Sequence, residues 1–225
     1  MKKINFSLAD RLRKKEKKIR VYLIIFFIVG IAGFSLPITS NFFTHLTPFA
    51  LLLCVIALVI FHETENHKKS LLIFILIYIA GFLVEVAGVT SGFIFGNYNY
   101  GRGLGIKLFD TPLIIGLNWI FLVYCTGIIV SSFPVNNTLK ILSASLLMVF
   151  YDLVLEQIAP ALDMWEFEGG YAPVQNYISW LLISLIFHLS VRSSGIKSEN
   201  RMAGFVFILQ LAFFVSLFII QRFTK

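Results

Sequence analysis

The chain has 225 residues, of which 58% are hydrophobic and 14% charged, and its formal net charge is +7. A soluble domain usually carries about 25% charged residues, so this composition excludes an ordinary soluble domain and predicts an integral membrane protein. Nine of the 19 Lys and Arg residues lie within positions 1–20. The excess positive charge therefore forms a short N-terminal arm, and we expect no nucleic acid partner.

Seven apolar segments are long enough to cross a membrane, which requires roughly 17–25 residues as a helix. The fold class predicted is therefore all-α, a polytopic transmembrane helical bundle of about seven spans. It divides into a basic cytoplasmic arm at 1–20 and a single transmembrane domain at 21–225. The predicted spans are 21–37, 42–61, 71–89, 112–133, 138–158, 177–191 and 203–221.

The distribution of Lys and Arg predicts the orientation of these spans. If the N-terminus is cytoplasmic, the inner segments hold 15 basic residues and the outer segments hold four. Basic residues concentrate in cytoplasmic loops, so this bias places the N-terminus inside and the C-terminus outside. We expect a multi-pass protein of the cell (inner) membrane.

Two of the predicted outer loops are too long and too distinctive to be simple connections. Residues 91–111 are rich in Gly and Tyr, whereas residues 159–176 contain three acidic residues and no basic one. Loops of this length are usually functional. We expect them to cap a cavity between the helices.

Placing a polar side chain at membrane depth costs free energy, so each such residue is expected to have a structural or functional role. Glu85 lies near the outer end of the third span, and Asp152 and Glu156 lie near the outer end of the fifth. The last two are four residues apart and therefore project from one helix face. The topology brings them to the depth of Asn118 and Asn176, two residues that could alternatively serve as hydrogen-bonding contacts between helices.

Within the predicted spans the one Lys or Arg residue is Lys140, at the inner end of the fifth span. No basic residue therefore lies near the three carboxyl groups to pair with them, which favours a functional cavity. Carboxyl groups that share a poorly solvated site cannot all be ionised at once. At least one is expected to keep its proton, as a general acid requires. A proton relay in a transporter requires the same property, so both classes stay open at this point.

Absent motifs narrow the chemistry. The chain has four His, too few for a membrane di-iron oxygenase, and its last span has no Lys for a retinal Schiff base. It also lacks the aspartate-rich motif that binds magnesium diphosphate in prenyltransferases. We expect no metal site and no cofactor.

The segment from Glu85 to Tyr100 (EVAGVTSGFIFGNYNY) resembles the signature of the membrane carotenoid-biosynthesis family, which includes bisanhydrobacterioruberin and γ-carotene hydratases. The similarity continues through Asn118-Trp119, through Tyr151 to Glu156 (YDLVLE), and through Trp165 to Tyr177, so it covers about residues 70–190. The chain departs from the family pattern at Glu156-Gln157, where Asp-Pro is more usual, and at Ser91, Ile94 and Phe167. These departures bear on the identity of the substrate more than on membership of the family.

The resemblance implies hydration of the terminal double bond of an acyclic carotenoid end group, giving a tertiary alcohol. It implies Asp152 or Glu156 as the acid, with Glu85 as the stabiliser of the carbocation or as the base that activates water. Asn118 and Asn176 would hold the water, and the aromatic loops would form a lid. The candidate substrate-binding residues are Tyr98, Tyr100, Asn118, Trp119, Trp165 and Asn176.

The expected partners are a lipophilic carotenoid and the lipid bilayer, and association with other carotenoid-pathway enzymes stays open. Two other functions remain as alternatives. A proton-coupled transporter of a small solute would also use carboxyl groups, although such proteins usually have repeated halves, and none is visible here. A non-catalytic carotenoid-binding subunit would keep the aromatic residues and tolerate loss of the acids.

Overall fold

The chain forms a bundle of α-helices, and our computed structural model describes residues 8–224 of it. Six of these helices (α2 and α5 to α9) are long and apolar enough to cross a membrane, and a bent pair, α3 and α4, would make a seventh span. The prediction of a polytopic helical bundle is confirmed. The helices are α1 (Leu8–Arg13), α2 (Glu16–Ser35), α3 (Pro37–Thr44), α4 (Thr47–Phe61), α5 (His67–Ser91), α6 (Ile114–Ser131), α7 (Asn137–Glu156), α8 (Val174–Ser193) and α9 (Ala203–Thr224).

The predicted second span, 42–61, differs most from the structure. It is divided between α3 and α4, whose axes meet at an angle of 56°. Pro48 lies in the first turn of α4 and has no amide hydrogen to continue the hydrogen-bond ladder from α3. The proline therefore accounts for the break. The first span also begins earlier than predicted, since α2 starts at Glu16, inside the basic arm.

Side-chain caps fix the ends of two helices that carry the polar residues. The side chain of Asn66 accepts a hydrogen bond from the Lys69 amide at the start of α5, and Asn136 does the same for Leu139 at the start of α7. Such caps satisfy amides that have no partner in the helix. At its other end, α5 stops at Gly92, which has a left-handed backbone with φ of 63°.

Helix α6 is the centre of the bundle. Half of the apolar stretch of α6 is buried inside the bundle, compared with 17% of the apolar stretch of α2. Helix α6 packs against α4, α5, α7, α8 and α9. Large apolar side chains on the outer helices remain exposed, among them Tyr22, Leu71 and Ile186. In a membrane protein, these surfaces face lipid.

Short antiparallel strand pairs join the loops at the two ends. Strand β1 (Glu63–Thr64) pairs with β6 (Ser198–Glu199) at the end where α4 meets α5. At the opposite end, β2 (Tyr98–Tyr100) pairs with β5 (Trp165–Phe167). The third pair is β3 (Lys107–Leu108) with β4 (Thr111–Pro112), and a 3-10 turn covers Pro160–Leu162.

The end with β1 and β6 also holds the start of α2. Arg13 donates hydrogen bonds to the carbonyls of Ile60 at 2.7 Å and His62 at 2.8 Å, and Glu16 forms an ion pair with Arg201 at 3.5 Å. The described part of the basic arm, from Leu8 onward, thus lies at the same end of the bundle as these loops, as the charge distribution predicts. That this end is cytoplasmic stays a prediction.

Candidate active site

Five polar residues from four helices line one small cavity near the end that carries β2 and β5. They are the residues that the sequence places at a common depth: Glu85, Asn118, Asp152, Glu156 and Asn176. The cavity has a volume of about 20 Å³, and roughly 10–15 Å³ is enough for one water molecule. None of the described residues that line it is basic.

Glu85 projects from α5 into the bundle and is only 3% exposed. Its Oε2 accepts hydrogen bonds from the hydroxyls of Tyr98 at 2.8 Å and Tyr100 at 2.7 Å. Its Oε1 accepts one from Trp119 Nε1 at 3.0 Å. Three neutral donors on the two oxygens suit an ionised carboxylate, which can only accept hydrogen bonds.

The two tyrosines remain donors because of their surroundings. Burial raises the pKa of the Tyr98 and Tyr100 hydroxyls, and the nearby Glu85 carboxyl raises the pKa of each further. Both phenols therefore stay protonated. In the structure their hydroxyls orient Glu85, and the assignment of both residues to substrate binding stays a prediction.

Asp152 and Glu156 lie one turn apart on α7 and face Asn176 of α8. Asn176 Nδ2 donates to Asp152 Oδ2 at 2.9 Å and to Glu156 Oε1 at 3.4 Å. Trp165 Nε1 donates to Glu156 Oε2 at 3.0 Å. The other Asp152 oxygen, Oδ1, is buried and has no hydrogen-bond partner among the residues that the structure describes. An unpartnered buried oxygen is costly, so Oδ1 keeps the capacity to form a further hydrogen bond.

The pair β2 and β5 forms the roof of the cavity. Tyr98 lies opposite Phe167, and Tyr100 lies opposite Trp165; all four are buried, whereas Asn99 and Glu166 between them are exposed. Strand side chains alternate between two faces, so each short strand directs two aromatic rings inward and one polar group to solvent. The predicted cap over the cavity is thus formed by both long loops together.

Two glycines allow the loops to approach closely. The Gly101 amide donates to the Met164 carbonyl at 2.8 Å, and the Gly103 amide donates to the Asp163 carbonyl at 2.6 Å. A Cβ atom on Gly101 would lie 2.3 Å from the Asp163 carbonyl oxygen, and one on Gly103 would lie 2.4 Å from the Leu162 carbonyl oxygen. Only glycine fits at these contacts.

The remaining predicted residues have distinct positions. Trp119 is fully buried and stacks on Trp180, with ring centroids 4.2 Å apart. Asn118 is half-buried and, within the described part of the chain, its side chain makes no hydrogen bond. It lies where the acidic cavity meets a second, larger one.

Sequence reasoning missed four residues that also line the cavity, namely Phe95, Ile115, Phe167 and Trp180. Trp180 could have been predicted from the sequence, because it follows Asn176 by four residues and therefore shares its helix face. Phe167 was detectable as the inward partner of Trp165 in an alternating strand. Nothing in the sequence pattern distinguishes Phe95 or Ile115 from ordinary core residues.

Fold and site together define a multi-pass helical membrane protein with a buried cluster of carboxyl groups under an aromatic cap. The chain matches the model of a family described as carotenoid biosynthesis protein over residues 45–224, and it belongs to that family. Membership of this family links the chain to carotenoid biosynthesis.

One curated relative is the bisanhydrobacterioruberin hydratase of Haloarcula japonica, which is 27% identical over 140 residues. The match covers 55% of this chain and 46% of the relative, so the chain spans about half the length of that protein. No solved structure matches the chain.

Proposed function

We propose that the protein is a carotenoid hydratase, which adds water across the terminal double bond of an acyclic carotenoid end group and forms a tertiary alcohol. The observation that carries this proposal is the difference between the carboxyl groups of one small cavity. Glu85 accepts three hydrogen bonds, whereas one buried oxygen of Asp152 has no partner in the described part of the chain. One group is arranged as an anion, and the other is free to present a proton.

The first step is proton transfer to the alkene. Asp152 in its protonated form gives the proton on Oδ1 to the less substituted carbon of the terminal double bond. A C–H bond forms, the π bond breaks, and a tertiary carbocation remains beside an Asp152 carboxylate. General acid catalysis of this kind contributes about 10²–10⁴-fold to a rate.

The carbocation is stabilised by charge and by aromatic faces. Glu85 supplies a fixed negative charge in the cavity, held in place by its three donors. The rings of Tyr98, Tyr100 and Trp165 line the same space, and aromatic faces attract cations by their quadrupole. No basic side chain competes with the carbocation for the charge of Glu85, because none of the described lining residues is basic.

Water capture completes the reaction. A water molecule held by Asn118 and Asn176 attacks the cationic carbon, a C–O bond forms, and Glu156 accepts the proton that the water loses. Asn176 donates to both acids, so Glu156 and Asp152 lie close enough for that proton to return to Asp152 through the shared site. The sum is alkene plus water to alcohol, and this scheme requires neither a redox step nor a cofactor.

Expression in a host that accumulates lycopene tests the proposal. Pigment extracts should contain a product heavier than lycopene by one water, or by two if both ends react. Asp152→Asn and Glu156→Gln should each reduce that product by about 10²-fold or more, and Glu85→Gln should also reduce it. Glu166→Gln is the matched control, since that side chain is exposed on the cap. Undiminished product in all three cavity variants would disprove carboxylate catalysis.

A further inference from the structure

A second cavity, lined mostly by apolar side chains, lies beside the acidic one. It has a volume of about 190 Å³ and lies between α2, α4, α6 and α9. Helices α2 and α9 each contribute phenylalanines to its wall, including Phe27 and Phe213, whose rings pack edge to face with centroids 5.3 Å apart. We name this space the phenylalanine groove.

The phenylalanine groove and the acidic cavity adjoin. Three residues line both of them: Ile115 and Asn118 from α6, and Trp165 from β5. Trp165 also donates its indole hydrogen to Glu156. A molecule that fills the groove therefore ends against Trp165, which donates to one of the carboxyl groups of the acidic cavity.

The break between α3 and α4 shapes the groove. Leu46, Thr47 and Pro48, at the corner of the two helices, contribute to its wall. Val29 of α2 lines the groove and is also 52% exposed on the outer surface of the bundle. An exposed apolar side chain on a helix of this apolarity would meet lipid, so the groove would reach the bilayer at this wall.

We propose that the phenylalanine groove binds the part of the substrate's conjugated polyene chain nearest the reacting end, with the end group at the mouth of the acidic cavity, where Asn118 and Trp165 line both spaces. This proposal rests on the proposed function for the identity of the end group. A rigid polyene loses little conformational freedom on binding, and it fits an apolar channel lined by aromatic rings. Lateral entry through the bend of α3 and α4 spares it any passage through water.

Ala50 provides a way to close the groove without touching the carboxyl groups. It is a half-buried lining residue of α4, and Ala50→Phe would place a ring in the space for the polyene. Ala212→Phe is the matched control, since Ala212 lies on α9 but is exposed toward lipid. Both variants add the same apolar bulk to helices that border the groove.

Binding is measured by quenching of tryptophan fluorescence as lycopene is titrated into the full chain in lipid nanodiscs. The Asp152→Asn background prevents turnover. Ala50→Phe should weaken the apparent affinity by at least about tenfold, as expected when bulk is added to a filled site, whereas Ala212→Phe should not change it. Equal affinity of Ala50→Phe and the parent would overturn the groove proposal. If Ala50→Phe does not fold, Ala50→Leu should show a smaller loss in the same direction.

This measurement separates the two proposals. Hydrated product in the lycopene host together with unchanged binding in Ala50→Phe would retain the hydratase and refute the groove. Weakened binding in Ala50→Phe without any hydrated product from the parent chain would retain the groove and refute the hydratase.

Discussion

Carboxyl groups occur near both ends of the bundle, but in opposite surroundings. At the end that carries the basic arm, Glu16 pairs with Arg20 at 2.8 Å, and Glu63 lies 3.7 Å from Arg13 and 3.6 Å from Arg201. These groups are partly exposed. In the acidic cavity, the donors that the described residues provide to the carboxyl groups are tryptophan, tyrosine and asparagine side chains.

The carboxyl groups at the two ends of the bundle are suited to different tasks. An adjacent guanidinium keeps a carboxylate ionised and fixes its partner, which suits groups that hold loops together. Neutral donors orient a carboxyl group without fixing its charge as strongly. A site that must release and regain a proton needs the second arrangement, and the acidic cavity has it.

The largest contrast between the two ends should appear when one acid from each is truncated. Glu85→Ala would leave the hydroxyls of Tyr98 and Tyr100 and the indole of Trp119 without their acceptor. Each stranded buried donor costs about 1–3 kcal/mol, so the total loss of stability should be about 3–9 kcal/mol. Glu63→Ala removes two partly exposed ion pairs, each worth less than about 1 kcal/mol, and should cost far less.

Thermal unfolding of both variants in detergent, followed by circular dichroism, measures this contrast. Glu85→Gln provides a matched control, because its amide oxygen can still accept from two of the donors and should lose less. Similar unfolding temperatures for Glu85→Ala and Glu63→Ala would contradict the view that the cavity depends on buried hydrogen bonds.

The close contact of the two long loops gives the next largest effect. Gly101→Ala places a Cβ 2.3 Å from the Asp163 carbonyl oxygen, so the backbone must move and the strand pair above the cavity should open. We expect product formation to fall by about tenfold, since a misplacement of 1 Å near a reacting group costs up to about 10²-fold. Gly169→Ala, whose Cβ would meet nothing closer than 3.9 Å, should keep full activity.

Pigment yield per unit of folded protein is the appropriate readout for this pair, because it separates loss of activity from loss of protein. Full activity of Gly101→Ala would mean that the strand pair does not hold the cap in place. The same result would mean that Trp165 does not depend on the strand pair for its position.

Much of this architecture follows from simple sequence patterns, and the remainder does not for physical reasons. Hydropathy locates the spans, and the four-residue spacing of Asp152 and Glu156 places both acids on one face. The pairing of β2 with β5 was not predictable, because it joins residues far apart in sequence through three-residue strands. The bond from Tyr98 to Glu85 depends on that pairing, so it too required the structure.

The break in the second span shows a different limit. Hydropathy treats 42–61 as one segment, since proline hardly changes the mean apolarity of a window. The consequence of Pro48 is a missing backbone amide, which only a stereochemical argument detects. That same break borders the phenylalanine groove, so an averaged hydropathy profile conceals a feature with a proposed function.

The smallest effect is expected for the ion pairs at the basic end. Arg201 contacts both Glu16 and Glu63, yet its side chain is 61% exposed, so solvent screens these interactions. Arg201→Gln should lower stability by less than about 1 kcal/mol, and the difference should shrink further as salt is raised. Unfolding temperatures at low and high salt measure the first effect, and pigment yield should remain unchanged. A marked loss of hydrated product would show that the two ends are coupled. In that case the charged loops would help to support the acidic cavity. Pairing with arginine would then no longer distinguish the structural carboxyl groups from those proposed for catalysis.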